Sequence, residues 1–313
     1  MPKSTDTLRI VDNVLTSIVN SYENRSMVAN FLFHRVSLSG LSTKVVTFGK
    51  SMFIKRELHR ALRGASNRID PTDFDTIDVK LLERDIELAL DILELDEAAI
   101  NLQYEMRVTK ELQDVLLLGR EVEAANLAQT AGTWAAPHDV AAGWATPASG
   151  TPIADIKAQS EVIRAATSRK PNVMIIAPDS YEAALLCDEV TGKITYTGAG
   201  TNQATLSIFK ELTEIDNIYV GYAKQSIDAE STIPDIWTNS CVIAYVDQAD
   251  KANRSKFNPS MGYEFFKQGF PQVDTYYEVG GKVKVIRNTD IYLPKIINNS
   301  AGVLLWDTVT NTD

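Results

Sequence analysis

Metal and thiol chemistry is what this 313-residue sequence has least of. Its two cysteines, Cys187 and Cys241, lie far apart without metal-ligand spacing, which predicts buried free thiols rather than a disulfide. Its three histidines, His34, His59 and His138, are each isolated from any Cys, Asp or Glu at ligand spacing, so no zinc pattern forms. Gly198-Ala199-Gly200-Thr201 is not followed by the Gly-Lys-Ser/Thr of a phosphate loop, and no G-x-S-x-G elbow presents a nucleophilic serine. Asp179-Ser180 at a helix start is explained as an N-cap. These absences predict no enzyme: no catalytic residue, no cofactor and no bound metal. Long apolar runs are missing too. Nothing approaches the roughly 20 residues of a membrane helix, and MPKSTDTLRIVDN lacks the apolar core of a signal peptide. The expectation is a protein of the compartment that makes it, the cytoplasm, with no membrane partner.

What is present is enough apolar content, 44%, to bury a core. The net charge of −10 argues against a surface that is nucleic-acid footprint throughout. Its distribution says more. From Lys44 to Arg68 the chain carries Lys44, Lys50, Lys55, Arg56, Arg60, Arg63 and Arg68 against Glu57 alone. From Asp70 to Glu97 it carries eleven carboxylates against Lys80 and Arg84. Two adjacent segments of opposite sign can neutralise each other within one molecule, or the basic one can reach the acidic face of a second copy.

Residues 102 to about 128, LQYEMRVTKELQDVLLLGREVEAANLA, contain no proline and one glycine, Gly119, and predict one long helix of roughly 40 Å. Val108, Leu112, Val115, Leu116, Gly119 and Val122 share a stripe at helical spacing, while Gln103, Arg107, Lys110, Asp114 and Glu121 share the opposite one. Leu112, Val115, Leu116 and Val122 are therefore the expected core of the helix, and the polar stripe is expected to face solvent or a neighbour. A second arc, Leu102, Met106, Leu117 and Ala124, predicts cover from another direction.

Before the helix, residues 8–22 predict a short amphipathic arm helix through Ile10, Val14, Ile18 and Val19. Val46, Phe48, Met52 and Ile54 alternate with polar residues as a strand, and Ile86, Leu88, Leu90 and Ile92 alternate as another. With the Gly, Asn and Asp-Pro turn chemistry between them they predict a long hairpin with a basic tip. Such a ribbon is marginal alone and needs a partner surface, on its own domain or on another molecule. After the helix, residues 128–152 form a low-charge loop that Trp134 and Trp144 are expected to pin. Residues 171 to about 250 alternate helix and strand as a compact α/β module. VDTYYEV and KVKVIRN around Gly280-Gly281 predict a hairpin with a two-residue turn, followed by a last strand-like run. The module thus reads as an insertion into a domain built from both flanks.

This order of parts resembles the major capsid proteins of tailed bacteriophages, the Hong Kong 97-like fold. The residues that carry the likeness are LTSIVNSYENRSMVANFLFHRVSLSGLSTKVVTFGKSMFIKR for the arm and loop, DVLLLGREVEAANL for the helix, GTPIADIKAQSEVIRAATSRKPNVMIIAPDSYEAAL for the exit from the loop, and PSMGYEFF with the returning strands. The resemblance implies an α+β fold with an N-terminal arm (1–41), an extended β-hairpin loop (42–76), a peripheral domain (77–170 and 259–313) holding the spine helix, and an inserted axial domain (171–258). It implies a structural subunit that assembles with itself, as hexamers and pentamers, into an icosahedral shell of a virion around packaged double-stranded DNA held non-specifically, with assembly in the host cytoplasm. The extended loop, with its lysines and arginines, would contact a neighbouring subunit. Portal and decoration proteins are further partners in such shells, and scaffolding, if any, is expected from a separate protein because the fold starts within about 25 residues. The alternatives are an encapsulin-like compartment on the same fold, and a nucleic-acid-binding module using the basic hairpin.

Overall fold

The structure is a computed structural model that describes residues 10–24, 26–47, 55, 58–60, 62–68, 76–91, 93, 101–196, 206–226, 233–250 and 253–310. In chain order, β1 (Ile10–Val11), α1 (Asn13–Ser21), α2 (Ala29–Leu32), β2 (His34–Leu38), β3 (Ser42–Val46), β4 (Thr76–Lys80) and β5 (Leu82–Asp91) precede the long helix α3 (Asn101–Gln129). Then follow β6 (His138–Asp139), α4 (Pro152–Thr167), β7 (Val173–Ile176), α5 (Pro178–Leu186), α6 (Asp188–Tyr196), α7 (Leu206–Thr213), β8 (Asn217–Val220) and β9 (Ser240–Ala244). β10 (Gly262–Lys267), β11 (Gln272–Tyr277), β12 (Val283–Ile296) and β13 (Gly302–Trp306) close the chain.

The strands form two main sheets, and the long helix touches strands of both. The six-stranded sheet runs β1-β11-β12-β10-β2, with β5 on the other flank of β12. Its hairpin turn is where the sequence places it: Gly280 and Gly281 have φ of 108° and 66°, a left-handed conformation that glycine adopts without Cβ strain. The five-stranded sheet runs β6-β13-β9-β7-β8. Its central strands β7 and β9 are buried at every position, as suits strands covered on both faces.

Three expectations are corrected. The alternating run at Ile86, Leu88 and Leu90 is not the second strand of the basic hairpin. It is β5, antiparallel to β12 with Leu88 opposite Ile286, and the hairpin's returning strand is β4, with Val45 opposite Ile77. Alternation marks a half-buried strand but is blind to its partner, and Ile92 lies outside the described residues. The α/β module is also larger than 171–258. β13 pairs β9 along its whole length, β6 pairs β13, and α4 packs beneath them with Ile153, Ile156 and Ile163 fully or almost fully buried. The arm, finally, is part of the body: Leu15 and Val19 of α1 are buried against α3 and Val273, while Ile10 and Val14 stay exposed.

α3 spans 29 residues and ends at Gln129. Its last carbonyls have no helical partners, and side chains supply them: Thr130 Oγ1 donates to Asn126, Thr133 Oγ1 to Leu127, and Trp134 Nε1 to Ala128 at 2.8 Å. Trp134 and Trp144 do pin the following loop, both almost fully buried, with Trp144 Nε1 donating to Asp155 at 2.8 Å.

The buried residues of α3 correct the expected stripe. Val108 and Leu112 are buried, but Val115 is 50% exposed, and Leu116 and Val122 are only partly covered. The buried positions instead include Thr109, Gln113, Leu117, Glu121 and Ala125. A four-residue step on a 3.6-residue helix advances about 40° each time, so the packed face winds around α3 as it rises. It winds because α3 crosses from one body to the other. Val108 and Leu112 meet Leu15, Val19, Val273 and Ile286. Ala124, Ala125 and Ala128 meet Met27, Leu32 and Phe33 of the arm and Trp237, Val242 and Ala244 of the module. Small residues there let three elements approach the helix closely.

Candidate assembly surface

The polar face of α3 is wet along its first half, where Gln103, Arg107 and Lys110 are exposed, and becomes a set of internal ties further along. Glu121 is 2% exposed. Its carboxylate accepts the Val28 and Ala29 backbone N–H groups at 3.0 and 2.9 Å, capping α2, and the Trp237 indole N–H at 2.8 Å. One side chain therefore joins α3, the arm and the loop before β9. Burial raises the pKa of Glu121 above the ordinary carboxylate value, opposed by the Trp237, Ala29 and Val28 hydrogen bonds and the Arg120 charge. Gly221 is needed beside it, because a Cβ there would stand 2.4 Å from the Trp237 ring.

Arg120 continues the network. It pairs with Glu264 on β10 at 3.2 Å and donates to Asn30. Glu264 also pairs with Arg35 of β2 at 2.6 Å, and Arg35 reaches Asp290 of β12 at 2.8 Å. Two cations and two carboxylates, mostly withdrawn from water, thus tie arm, helix and sheet, and removal of one member leaves a buried charge uncompensated. Asp114 accepts from Tyr22 and Asn24, and Gln113 from Asn288. Asp114 and Glu121 are accordingly corrected from a solvent-facing stripe to internal partners. The sequence pattern held the residue types for these ties but not their partners, which lie some 90 to 175 residues away.

Against this rigid body stands the hairpin. Its base is anchored: Val45 of β3 and Val79 of β4 are fully buried beside Val36, Leu38, Tyr263 and Phe265. Lys44 within β3 is exposed, as are Lys55, Arg60, Arg63 and Arg68 beyond the base, and Lys50 and Arg56 lie outside the described residues. Leu58 and Leu62 are 87% and 94% exposed. The two leucines thus lie bare among exposed cations, and exposed apolar side chains of this size are marks of contact surfaces.

β5 carries the opposite sign. Its alternate residues Glu83, Asp85, Glu87 and Asp91 are exposed, while Ile86, Leu88 and Leu90 turn toward α1 and α3. Arg287 on β12, opposite Glu87, pairs with Asp274 at 3.2 Å and lies 4.0 Å from Asp85, which leaves the face acidic on balance. Among the described residues no group of His, Cys, Asp or Glu is arranged to hold a metal ion, and no helix is long and apolar enough to cross a membrane. Cys187 and Cys241 are free and buried.

No protein-family model matches the chain. It is 34% identical over 302 residues to the major capsid protein of Burkholderia phage BcepMu, covering 95% of this chain and 96% of that one. Its fold is similar to a phage-related protein from Bordetella bronchiseptica, with TM-score 0.79 at 22% identity over 97% of this chain and 100% of that one. It is also similar to the capsid of cyanophage P-SCSP1u, with TM-score 0.55 at 10% identity over 91% and 89% of the two chains. A hairpin with an anchored base, a long helix tying two sheets, and a relative matched almost end to end agree: the chain belongs to the major capsid proteins of tailed phages, structural subunits of the virion shell with the Hong Kong 97-like fold.

Proposed function

We propose that copies of this chain close into an icosahedral shell of hexamers and pentamers around packaged double-stranded DNA, with the hairpin of residues 42–76 laid over a neighbouring subunit. The observation that carries this reading is the bare tip: Leu58 and Leu62 fully presented among Arg60, Arg63 and Arg68, above a base locked into its own subunit. The acidic ladder Glu83, Asp85, Glu87 and Asp91 gives a neighbour's cations a face of opposite sign, which fixes register and raises encounter rates more than it adds affinity. The six-stranded sheet with α3 would be the peripheral domain. The five-stranded sheet, enlarged by β6, α4 and β13, would be the axial domain meeting its counterparts at the capsomer centre. The subunit's role is structural rather than catalytic, its contact with DNA is non-specific, and assembly takes place in the host cytoplasm, with scaffolding, portal and decoration proteins as separate partners.

The test is a triple charge reversal, Arg60→Glu, Arg63→Glu and Arg68→Glu. The subunit keeps its circular dichroism spectrum and melting temperature, and sedimentation shows loss of shells. Shells at unchanged yield would sink the contact. Duplex binding by the unassembled wild type that is lost in the variant and falls steeply with salt would favour a nucleic-acid module instead. Particles that form normally but carry protein cargo and no DNA would favour a compartment shell.

A further inference from the structure

A cleft of about 300 Å³ opens between the β2–β3 turn and residues 254–257, the segment that leads from the module back to the six-stranded sheet. One wall is hydroxyl-rich: Ser37, Ser39, Ser42 and Thr43. The facing wall carries Arg254 and Lys256, both half-buried. Lys256 Nζ stands 3.4 Å from Thr43 Oγ1, so the two walls already meet across the cleft. Arg254 donates its Nε–H to the Ala249 carbonyl at 3.1 Å, which fixes the guanidinium on its loop. Among the described residues no carboxylate lines the cleft or forms an ion pair with either cation.

Arg254 and Lys256 are each held by a neutral oxygen, whereas the half-buried Arg35, Arg84, Arg287 and Lys284 have carboxylate partners. Two partly desolvated cations without a counter-ion cost free energy until an anion joins them. We propose that this cleft binds a phosphate group. A phosphate offers more acceptor oxygens than a carboxylate, and charge-assisted bonds from Arg254 and Lys256 with neutral bonds from the opposing hydroxyls match such a many-sided acceptor. The cleft is roomier than one phosphate needs. At its rim Phe257 is 62% exposed, with Lys256 Nζ 5.3 Å from the ring centre, so a flat apolar face adjoins the anion position. A nucleotide unit, phosphate inside and base against the ring, uses all of these groups.

The experiment is titration calorimetry of the unassembled subunit with inorganic phosphate and, separately, with a thymidine hexanucleotide, at constant chloride. Two variants localise the binding: Lys256→Ala removes one cation, and Ser39→Asp puts a carboxylate into the mouth at an exposed position where folding is not at stake. Saturable binding of either probe that weakens roughly tenfold or more in both variants, at unchanged melting temperature, supports the site. Tighter binding of the hexanucleotide identifies a nucleic-acid backbone as the source of the phosphate, and equal or tighter binding of inorganic phosphate identifies the free ion. Absence of binding by both probes overturns the proposal, as does binding that neither variant alters. Loss of shells in Ser39→Asp without phosphate binding by the wild type overturns it in favour of a neighbouring copy's carboxylate.

Discussion

Glu121→Ala removes a single side chain and orphans three donors: the Val28 and Ala29 N–H groups and the Trp237 indole N–H. Each buried donor left unmade costs about 1–3 kcal/mol. At the low end for all three, less about 1 kcal/mol recovered because a buried carboxylate no longer has to be desolvated, the net loss is about 2 kcal/mol; mid-range costs bring it to about 5. Glu121→Gln is the control. Its remaining oxygen keeps the bonds to Val28 and Trp237, and its amide group meets only the Ala29 N–H, so the loss is about 1 kcal/mol. The pH dependence separates charge from shape. A carboxyl whose folded pKa is raised binds its proton more tightly when folded, so it favours the fold below its unfolded pKa, and that contribution is lost as pH rises through the folded pKa. Glutamine cannot titrate, so its deficit relative to wild type narrows as pH rises. Urea unfolding of the unassembled subunit, followed by tryptophan fluorescence and circular dichroism, reads all three quantities. An alanine variant within about 0.5 kcal/mol of wild type would refute the idea that this carboxylate joins the arm, the helix and the module.

Leu112→Asp prevents folding and Leu112→Ala costs about 3 kcal/mol, whereas Val115→Asp stays within about 0.5 kcal/mol; denaturant melts of the three variants check the winding face of α3. His34 is held neutral, with a pKa lowered to about 4, by burial first and by the charge of Arg254 second, against the raising influence of Asp247. A histidine with a depressed folded pKa stabilises the fold above its unfolded value and loses that contribution as pH falls from about 6.5 to about 4, here about 2 kcal/mol after allowance for partial solvent access. His34→Gln flattens this part of the stability–pH curve, and an unchanged slope would show that another group titrates there.

The order of elements was legible because each has a local signature: the proline-free run of α3, the Gly280-Gly281 turn, the apolar strand at Val173–Ile176. Partners were less so. Ile86, Leu88 and Leu90 show a strand with one buried face, but pairing with β12 rather than with the hairpin depends on the course of residues nearly 200 positions away. Val115 and Glu121 were misplaced for one reason. A straight 3.6-residue projection assumes a single packing surface, and α3 has two, so the buried stripe drifts until a glutamate from the polar side lies inside. The basic hairpin was visible as charge, but the bareness of Leu58 and Leu62 is a property of three dimensions. The Arg254 and Lys256 cleft gave no sequence signal, since its two walls lie more than 200 residues apart.

The central claim is that the hairpin belongs to its neighbour. Cryo-electron microscopy of assembled particles tests it directly: density for residues 42–76 of one subunit should cross the boundary and set Arg60, Arg63 and Arg68 against the Glu83–Asp91 face of the next. A hairpin folded back over its own six-stranded sheet, in particles that are nonetheless closed, would contradict the account.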